Sequence, residues 1–300
     1  MKRLIVCFAT VCLLACNCTF AIAQDDSAAW KPVETALGRS GQMQPGQVYK
    51  FALPRRDMKV VKEGVTVAPG LALGSWVAFK KMGNDAMVMG DLVLTEEEIE
   101  PVMLKLQQQG IEQTSIHNHL LGESPRVIYM HIAGHGDPVV LARSLASAIA
   151  LTKTPPPATA PTPAVAPQAI DLKTKEVEQA LGYTGKVNGG ILQFSVSRVE
   201  KITDSGMEVP PAMGTATAIN FQPTGGGKAA ISGDFVLLAS EVNPVIRALR
   251  IHGIEVEAMH NHMLNDQPHL YFMHFWANDD AVKLAQGLRV ALDETNSQKP

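Results

Sequence analysis

Hydrophobic and polar residues along the first half of the chain follow two different periods. Segments in which apolar residues alternate with polar ones predict strands, and segments with apolar residues three or four positions apart predict helices. In chain order, the pattern predicts a helix over 33–37, strands over 48–53, 74–80 and 86–94, a helix over 96–109, strands over 113–120 and 127–132, and a helix over 138–151. Because strands and helices are mixed without strict alternation, we predict an α+β fold in which each unit is a mostly antiparallel sheet with two to three helices.

The second half of the chain repeats this order and many of its residues. The matching segments lie 143 residues apart from the middle of each half onward: Gly90-Asp91 and Gly233-Asp234, Gly110-Ile111-Glu112 and Gly253-Ile254-Glu255, His117-Asn118-His119 and His260-Asn261-His262, Pro125 and Pro268, and Met130-His131 and Met273-His274. A match of this kind within one chain indicates a duplicated ancestral unit. Two copies are too few for a solenoid, so we predict two similar domains from an internal duplication.

A segment rich in proline and alanine separates the two copies. Residues 155–168 read PPPATAPTPAVAPQ, a composition that disfavours both helix and strand and is typical of an extended, semi-rigid spacer. We therefore predict a first repeat domain over 30–152, a Pro/Ala-rich linker over 153–170 and a second repeat domain over 171–295.

Composition and charge limit the classes of partner. The 300 residues include 26 Lys and Arg against 29 Asp and Glu, a formal net charge of −3. This balance argues against nucleic acid and against a polybasic membrane patch, since no surplus of cations exists to neutralise phosphates. Hydrophobic residues make up 46% of the chain, which is enough for packed cores.

The N-terminus has the order of a secretory signal peptide. Lys2-Arg3 precedes a nearly apolar segment over 4–14, and Ala21-Ile22-Ala23 fits the small-residue rule for cleavage. We predict a signal peptide over 1–23, an exported protein that is periplasmic or extracellular, and no transmembrane span in the mature chain. The alternative is a cut before Cys16, whose preceding residues resemble a bacterial lipobox, with lipid anchoring at that cysteine.

Histidine carries the candidate chemistry, because all four cysteines lie within the leader. Six of the nine histidines form two copies of the spacing H-x-H-x11-H: His117, His119 and His131, then His260, His262 and His274. Strand alternation puts both rings of each H-x-H on one face, and pairing His117 with His131 in a hairpin places the third ring beside them. Three clustered imidazoles are typical ligands of zinc, with copper, iron or nickel as alternatives. We therefore predict a divalent transition-metal site in one or both repeats.

Carboxylates near these histidines are candidates for a fourth ligand. Glu123 follows the first H-x-H, and Asp266 occupies the equivalent place in the second copy, both in predicted turns. Asp91 and Asp234 follow a glycine near the end of a predicted strand, and we interpret them as turn residues rather than partners of a histidine. The alternative for the histidines themselves is a structural role, in which they brace the hairpin through hydrogen bonds and hold no metal.

The motifs of the repeated unit resemble a known bacterial family. Each copy begins with VETALG or VEQALG, carries Gly-Asp near its middle, and ends with HNHL or HNHM followed by P-x4-M-H. Over both halves these motifs resemble the LppY/LpqO family of secreted proteins and lipoproteins, a domain of unknown function. The resemblance implies an exported bacterial protein with a doubled unit, and it implies no activity, substrate or residue role.

Three functions are compatible with this sequence, and it leaves open whether the chain is an enzyme. The first is the binding, storage or sensing of a divalent transition metal. The second is a metal-dependent hydrolase in which Glu123 or Asp266 serves as general base. The third is a metal-free module that binds a cell-envelope polymer or another protein, with the linker allowing two sites to engage one partner. Binding that survives a chelator would distinguish the third function from the other two.

Overall fold

The computed structural model describes residues 26–157 and 170–299. The predicted signal peptide over 1–23, including Cys16, lies outside these residues, and so does the part of the predicted linker over 158–169. The described residues begin with a short 3-10 helix, Asp26–Trp30, that leads directly into the first repeat.

The first repeat is a six-stranded antiparallel sheet with three main helices. Its strands are β1 (Gln42–Gln44), β2 (Val48–Pro54), β3 (Val61–Lys62), β4 (Val65–Thr66), β5 (Gly74–Met82), β6 (Asp85–Leu94), β7 (Glu112–Asn118) and β8 (Ile128–Gly136). Its helices are α1 (Lys31–Leu37), the single turn α2 (Pro69–Ala72), α3 (Glu96–Gln108) and α4 (Pro138–Ile149). The sheet has the strand order β1-β2-β5-β6-β8-β7, and β3 pairs with β4 in a separate ribbon.

The second repeat has the same architecture in the same order. Its strands are β9 (Lys186–Asn188), β10 (Ile191–Ser197), β11 (Thr203–Asp204), β12 (Met207–Glu208), β13 (Ala216–Gly225), β14 (Lys228–Leu237), β15 (Glu255–His260), β16 (Asp266–Gln267) and β17 (Tyr271–Asp280). Its helices are α5 (Thr174–Leu181), α6 (Ala239–Ile251) and α7 (Ala281–Asp293), with a 3-10 turn at Pro211–Met213 in place of α2. The main sheet has the order β15-β17-β14-β13-β10-β9, while β12, β11 and β16 form a small third sheet. The predicted fold class, two similar α+β repeats with mostly antiparallel sheets, is confirmed.

Local signals in the sequence explain where the principal helices begin. Thr95 and Glu98 form a capping box at the start of α3, whose first turn is acidic as the helix dipole favours. At the start of α4, Asp137 accepts hydrogen bonds from two backbone amides of the first turn, and Pro138 occupies the first helical position. Both helices lie within two residues of their predicted bounds.

The two sheets pack face to face, with the helices on the outside. The strand β6 shows this most directly, because its side chains are buried on both faces. Those that face the helices of the first repeat are Ala86, Val88, Leu92 and Leu94. Those that face the second repeat are Met87, Met89 and Val93, which share two apolar clusters with residues of that repeat. A strand with a continuous apolar sequence is expected when both faces of a sheet are covered.

Polar contacts also join the two repeats along this interface. Lys50 donates to the carbonyl of Ala212 over 3.1 Å, and the backbone amide of Ala68 donates to Gln222 Oε1 over 2.8 Å. Lys62 forms a buried ion pair with Glu257 of the second repeat, with 3.3 Å between Nζ and Oε1. The interface therefore resembles the interior of a domain more than a contact between separate domains.

Within residues 26–157 and 170–299, none of the helices combines the length and the apolar character that crossing a membrane requires.

Candidate metal centre

Two aspartates lie in the middle of the sheets, on the faces that meet between the repeats. Asp91 on β6 is opposite Trp76 on one neighbouring strand and His131 on the other. Asp234 on β14 has the equivalent position, opposite His274. The interpretation of these residues as turn residues is therefore wrong. An Asp at a buried position of an otherwise apolar strand, present in both copies, was the signal in the sequence that could have identified them.

The two H-x-H hairpins have a different register from the one predicted. His117 is opposite Tyr129, and His131 is opposite Ser115, so the pairing is shifted by two residues. The cause is the connection, since residues 119–127 form a loop rather than a tight turn and pairing begins only at Asn118 and Ile128. A shift by two keeps every side chain on its predicted face. In the second repeat, His260 is likewise opposite Phe272 rather than His274.

The six histidines of the two motifs meet in one cluster between the repeats. The structure therefore brings the two predicted three-histidine sets together in one place, and metal binding there stays a prediction. The rings of the cluster form three close pairs, each with one ring from each repeat. Two pairs are stacked, His117 with His260 at 3.7 Å between centroids and His131 with His262 at 3.9 Å, and the third, His119 with His274 at 3.8 Å, is tilted. All of these side chains except the partly buried His117 are at most 9% exposed.

The asparagine of each HNH motif connects the edge strand of one repeat, β7 or β15, with that of the other. Asn118 Nδ2 donates to the carbonyl of Glu257 over 3.1 Å, and Asn261 Nδ2 donates to the carbonyl of Thr114 over 2.9 Å. Thr114 and Glu257 are the residues at which β7 and β15 have their β-bulges. Because a bulge changes the direction of the strand and of its side chains, it allows this reciprocal contact across the interface. The sequence motif thus combines two site-facing histidines with one residue that connects the repeats.

Backbone carbonyls fix the orientation of three of the imidazoles. Nδ1 of His117 lies 2.7 Å from the carbonyl of Asn118, and Nδ1 of His274 lies 2.9 Å from that of Gly233. Nδ1 of His262 lies 3.2 Å from the carbonyl of Gly214. A neutral ring that donates through Nδ1 has an unprotonated Nε2, which is the arrangement found in metal-ligating histidines.

Two pairs of Nε2 atoms lie at distances that fit both a hydrogen bond between the rings and two ligands of one ion. Nε2 of His117 is 3.0 Å from Nε2 of His131, and Nε2 of His260 is 3.1 Å from Nε2 of His262. Asp234 Oδ2 lies 3.0 Å from Nε2 of His262. Two groups of potential ligand atoms lie within 4.8 Å of one another among the described residues: His117, His131 and His260, and Asp234, His260 and His262.

Four predicted ligands belong to neither group: the cluster members His119 and His274, and the carboxylates Glu123 and Asp266. Glu123 Oε1 accepts a hydrogen bond from the amide of Val127 over 3.0 Å, and Asp266 Oδ2 accepts one from the amide of Leu270 over 2.7 Å. Each carboxylate therefore stabilises the loop that closes its own hairpin, and Asp266 also contacts His269 at 2.8 Å. The structure does not bring these two residues together with the histidines.

Burial keeps the histidines of the cluster in the form that binds metal. Burial lowers the pKa of His117 to about 4 and that of His119 to about 3. Burial, followed by the proximity of other histidines, also lowers the pKa of His131 and His260. A neutral imidazole is the metal-binding form, so these rings need no deprotonation at pH 7.

The pKa values of Asp91 and Asp234 are shifted in opposite directions. Burial raises the pKa of Asp91 well above its usual range, and the nearby Asp234 adds to this effect. Burial also opposes the charge of Asp234, but the surrounding histidines, His274 first, outweigh it and lower the pKa of this carboxyl. Asp234 is thus the better anionic ligand in the metal-free chain.

A surface cleft of about 410 Å³ lies beside β15. Its lining residues are His260, Met259, Asn261, Met263, Leu264, His269 and Tyr271. His260 is the one member of the cluster in this lining, and its side chain is only 2% exposed.

We expect Gly233→Ala to destabilise the protein by about 2–3 kcal/mol, because the strands at this point leave no space for a side chain. A Cβ at Gly233 would overlap the carbonyl oxygen of Ala218 and lie 2.8 Å from the ring of Phe275. Gly74→Ala is the matched control, since its Cβ would meet only one backbone oxygen at 3.4 Å. Urea unfolding of both variants measures the difference, and equal midpoints would contradict the expected overlap.

Comparisons with known proteins identify the family. No curated protein matches the chain. Solved structures similar to it include a trimeric bacterial microcompartment shell protein PduB, with 12% identity over 83% of this chain and 88% of that chain and a TM-score of 0.18. Another is EtuB from Clostridium kluyveri, with 9% identity over 84% of this chain and 90% of that chain and a TM-score of 0.20. TM-scores this low carry no argument about fold or function.

A family of uncharacterised domains matches twice, over residues 31–151 and 175–294. These matches cover most of both repeats and confirm a doubled domain of unknown function, while the LppY/LpqO name stays a prediction. The chain therefore belongs to the family described as Domain of Unknown Function (DUF1259), of which it contains two copies.

Proposed function

We propose that this chain is an exported protein that binds a divalent transition-metal ion in the six-histidine cluster between its repeats. Zinc is the first expectation, and copper, iron or nickel are alternatives with the same ligand preference. The observation that carries the proposal is the convergence of Nε2 atoms of four buried or half-buried histidines, two of whose rings are oriented through Nδ1 by backbone carbonyls, as at His117 and His262.

Buried polar atoms without a partner support this proposal. Nε2 of His274 has no hydrogen-bond partner among the described residues, although it is buried. Oδ1 of Asp91 is in the same situation and lies 3.9 Å from Nδ1 of His131, too far for a hydrogen bond. Leaving such atoms unpaired in a protein interior is costly, and an ion bound in the cluster would give His274 a partner.

The test is elemental analysis of the full chain, expressed with its own leader and without a histidine tag. We expect at least one equivalent of a single transition metal, and a loss of this metal in the double variant His117→Ala/His260→Ala. His135→Ala is the matched control, since this exposed histidine of β8 lies outside the cluster. A wild-type protein that holds no metal and takes up none of the four ions would overturn the proposal and favour the metal-free binding module.

A second candidate function, a metal-dependent hydrolase, is favoured by the surface cleft beside His260. An ion with an open coordination position can lower the pKa of bound water and generate a nucleophile. Glu123 and Asp266 are poorly suited to the role of general base, because each accepts a hydrogen bond from the amide that closes its loop. Ester or phosphoester turnover that disappears with a chelator and in His260→Ala would support this candidate.

A further inference from the structure

The stacking of the imidazoles divides the cluster into two layers. Each of the three close pairs, two stacked and one tilted, joins one ring of the first repeat to one ring of the second, at 3.7–3.9 Å between centroids. His117 and His131 share one layer, since their ring planes differ by only 8°. His260 and His262 stack on these two rings from the other repeat, and their own planes are tilted by 36° to each other.

Each layer contains its own pair of converging nitrogens. The Nε2 atoms are 3.0 Å apart for His117 and His131 in one layer and 3.1 Å apart for His260 and His262 in the other. Two nitrogens that bind the same zinc ion at about 2.1 Å, with an angle of about 90–110° between them, lie about 3.0–3.4 Å from each other. The spacing within each layer is therefore that of two ligands of one ion.

The spacing between the layers matches that of a two-metal centre. Ions held in the planes of two layers 3.7–3.9 Å apart would be separated by a similar distance. Two-metal sites in proteins have separations of about 3.5–4 Å. His260 belongs to both groups of neighbouring ligand atoms, as expected if the positions of the two ions are adjacent.

The number of donor groups also exceeds the need of one ion. Six imidazoles and the carboxylates Asp91 and Asp234 provide eight groups, whereas a tetrahedral ion takes four ligands. Asp234 Oδ2, 3.0 Å from Nε2 of His262, lies beside the second layer's pair. His119 and His274, whose rings lie 3.8 Å apart, each have a buried nitrogen without a partner among the described residues, Nδ1 and Nε2 respectively.

We propose that the cluster holds two divalent transition-metal ions, one ligated by His117 and His131 and the other by His260, His262 and Asp234. This inference rests on the proposed function and adds a second ion to it. The two ligand pairs are not equivalent under the duplication, since His131 corresponds to His274 and His262 corresponds to His119. The inference therefore rests on the two close Nε2 pairs themselves.

A cobalt titration of the metal-free full chain tests the inference, because tetrahedral cobalt(II) with nitrogen ligands absorbs visible light. We expect the absorbance to rise linearly to two equivalents and then to remain constant. An end point at one equivalent would overturn the two-ion centre and leave the proposed function intact. No uptake at all would overturn both, so the two failures are distinguishable.

Single variants and a spectroscopic measurement locate the two ions. His131→Ala removes a ligand of one layer and His262→Ala a ligand of the other, so each is expected to bind one equivalent, while His135→Ala retains two. Copper(II) at two equivalents should give a smaller paramagnetic resonance signal per ion than at one equivalent, because ions less than about 4 Å apart couple magnetically. Two uncoupled copper signals would place the second ion outside the cluster and contradict the inference, whether or not the variants fold.

Discussion

Zinc at a free concentration of about 1,000 times its Kd is expected to raise the free energy of unfolding of the metal-free chain by about 4 kcal/mol. The reason is that the ligands come from both repeats, with His117 and His131 in one and His260 in the other, and assemble only in the native state. For a chain of this size, each kcal/mol corresponds to about 2–4 °C, so we expect an increase of about 10 °C in Tm. Thermal unfolding followed by circular dichroism, with and without zinc, measures this shift.

Two controls connect that stabilisation with the cluster. Magnesium at the same concentration should leave Tm unchanged, because it prefers oxygen ligands in octahedral geometry. The double variant His117→Ala/His260→Ala should lose the zinc-dependent increase. An increase of equal size in this variant would show that zinc binds elsewhere and contradict the prediction.

Glu98→Ala is expected to destabilise the protein by about 3 kcal/mol, because it removes one of the two carboxylates that pair with the buried guanidinium of Arg55, the other being Asp57, and leaves two backbone amides without their acceptor. Arg55 is 0% exposed, and its Nη1 and Nη2 atoms donate to Glu98 over 2.7 and 3.1 Å. Glu98 also accepts hydrogen bonds from the amides of Thr95 and Lys153. This carboxylate therefore connects β2, the start of α3 and the segment after α4.

The second repeat contains an equivalent arrangement, so the prediction can be tested twice. Arg198 donates to Glu241 over 2.7 and 3.0 Å, and Glu241 accepts from the amides of Leu238 and Asn296. We expect Glu241→Ala to have an effect of similar size. Glu97→Ala is the matched control, since this neighbour of Glu98 in the first turn of α3 is exposed. Urea unfolding that shows the same midpoint for Glu98→Ala and Glu97→Ala would contradict the prediction.

The contribution of Glu98 to the free energy of unfolding is also expected to depend on pH. Burial opposes its charge, but the hydrogen bond from Arg55 and those from the two amides outweigh burial and lower its pKa below the ordinary 4.5. A carboxylate with a lowered pKa in the folded state stabilises the protein fully above its unfolded pKa, and the stabilisation is lost as the pH falls through the folded value. The difference between wild type and Glu98→Ala should therefore be constant near pH 7 and decrease below about pH 4.5.

The elements of the fold could be predicted because their signals are local. The predicted helix over 96–109 is α3 at Glu96–Gln108, and the predicted strand over 86–94 is β6 at Asp85–Leu94. Periodicity, capping residues and prolines act within a few positions of one another, so they are readable from the chain alone. The duplication was equally visible, since it needs only a comparison of the chain with itself.

The register of the H-x-H hairpin could not be predicted by the same means. Pairing depends on how residues 119–127 close the loop and on the bulge at Thr114. Neither is determined by alternation, which fixes only the face on which a side chain lies. For this reason His117 and His131 share a face as predicted, while the residues opposite them, Tyr129 and Ser115, are not the ones predicted.

By itself, the sequence determined two copies of one α+β unit, each with three histidines on one face of a hairpin. Only the tertiary structure decided that these faces meet, so that the histidines, Asp91 and Asp234 form a single cluster. The physical reason is that the sheets bury their second faces against each other, as the apolar residues on both sides of β6 require. Alternation identifies which side chains share a face, but the choice of what covers that face depends on residues far apart in the chain.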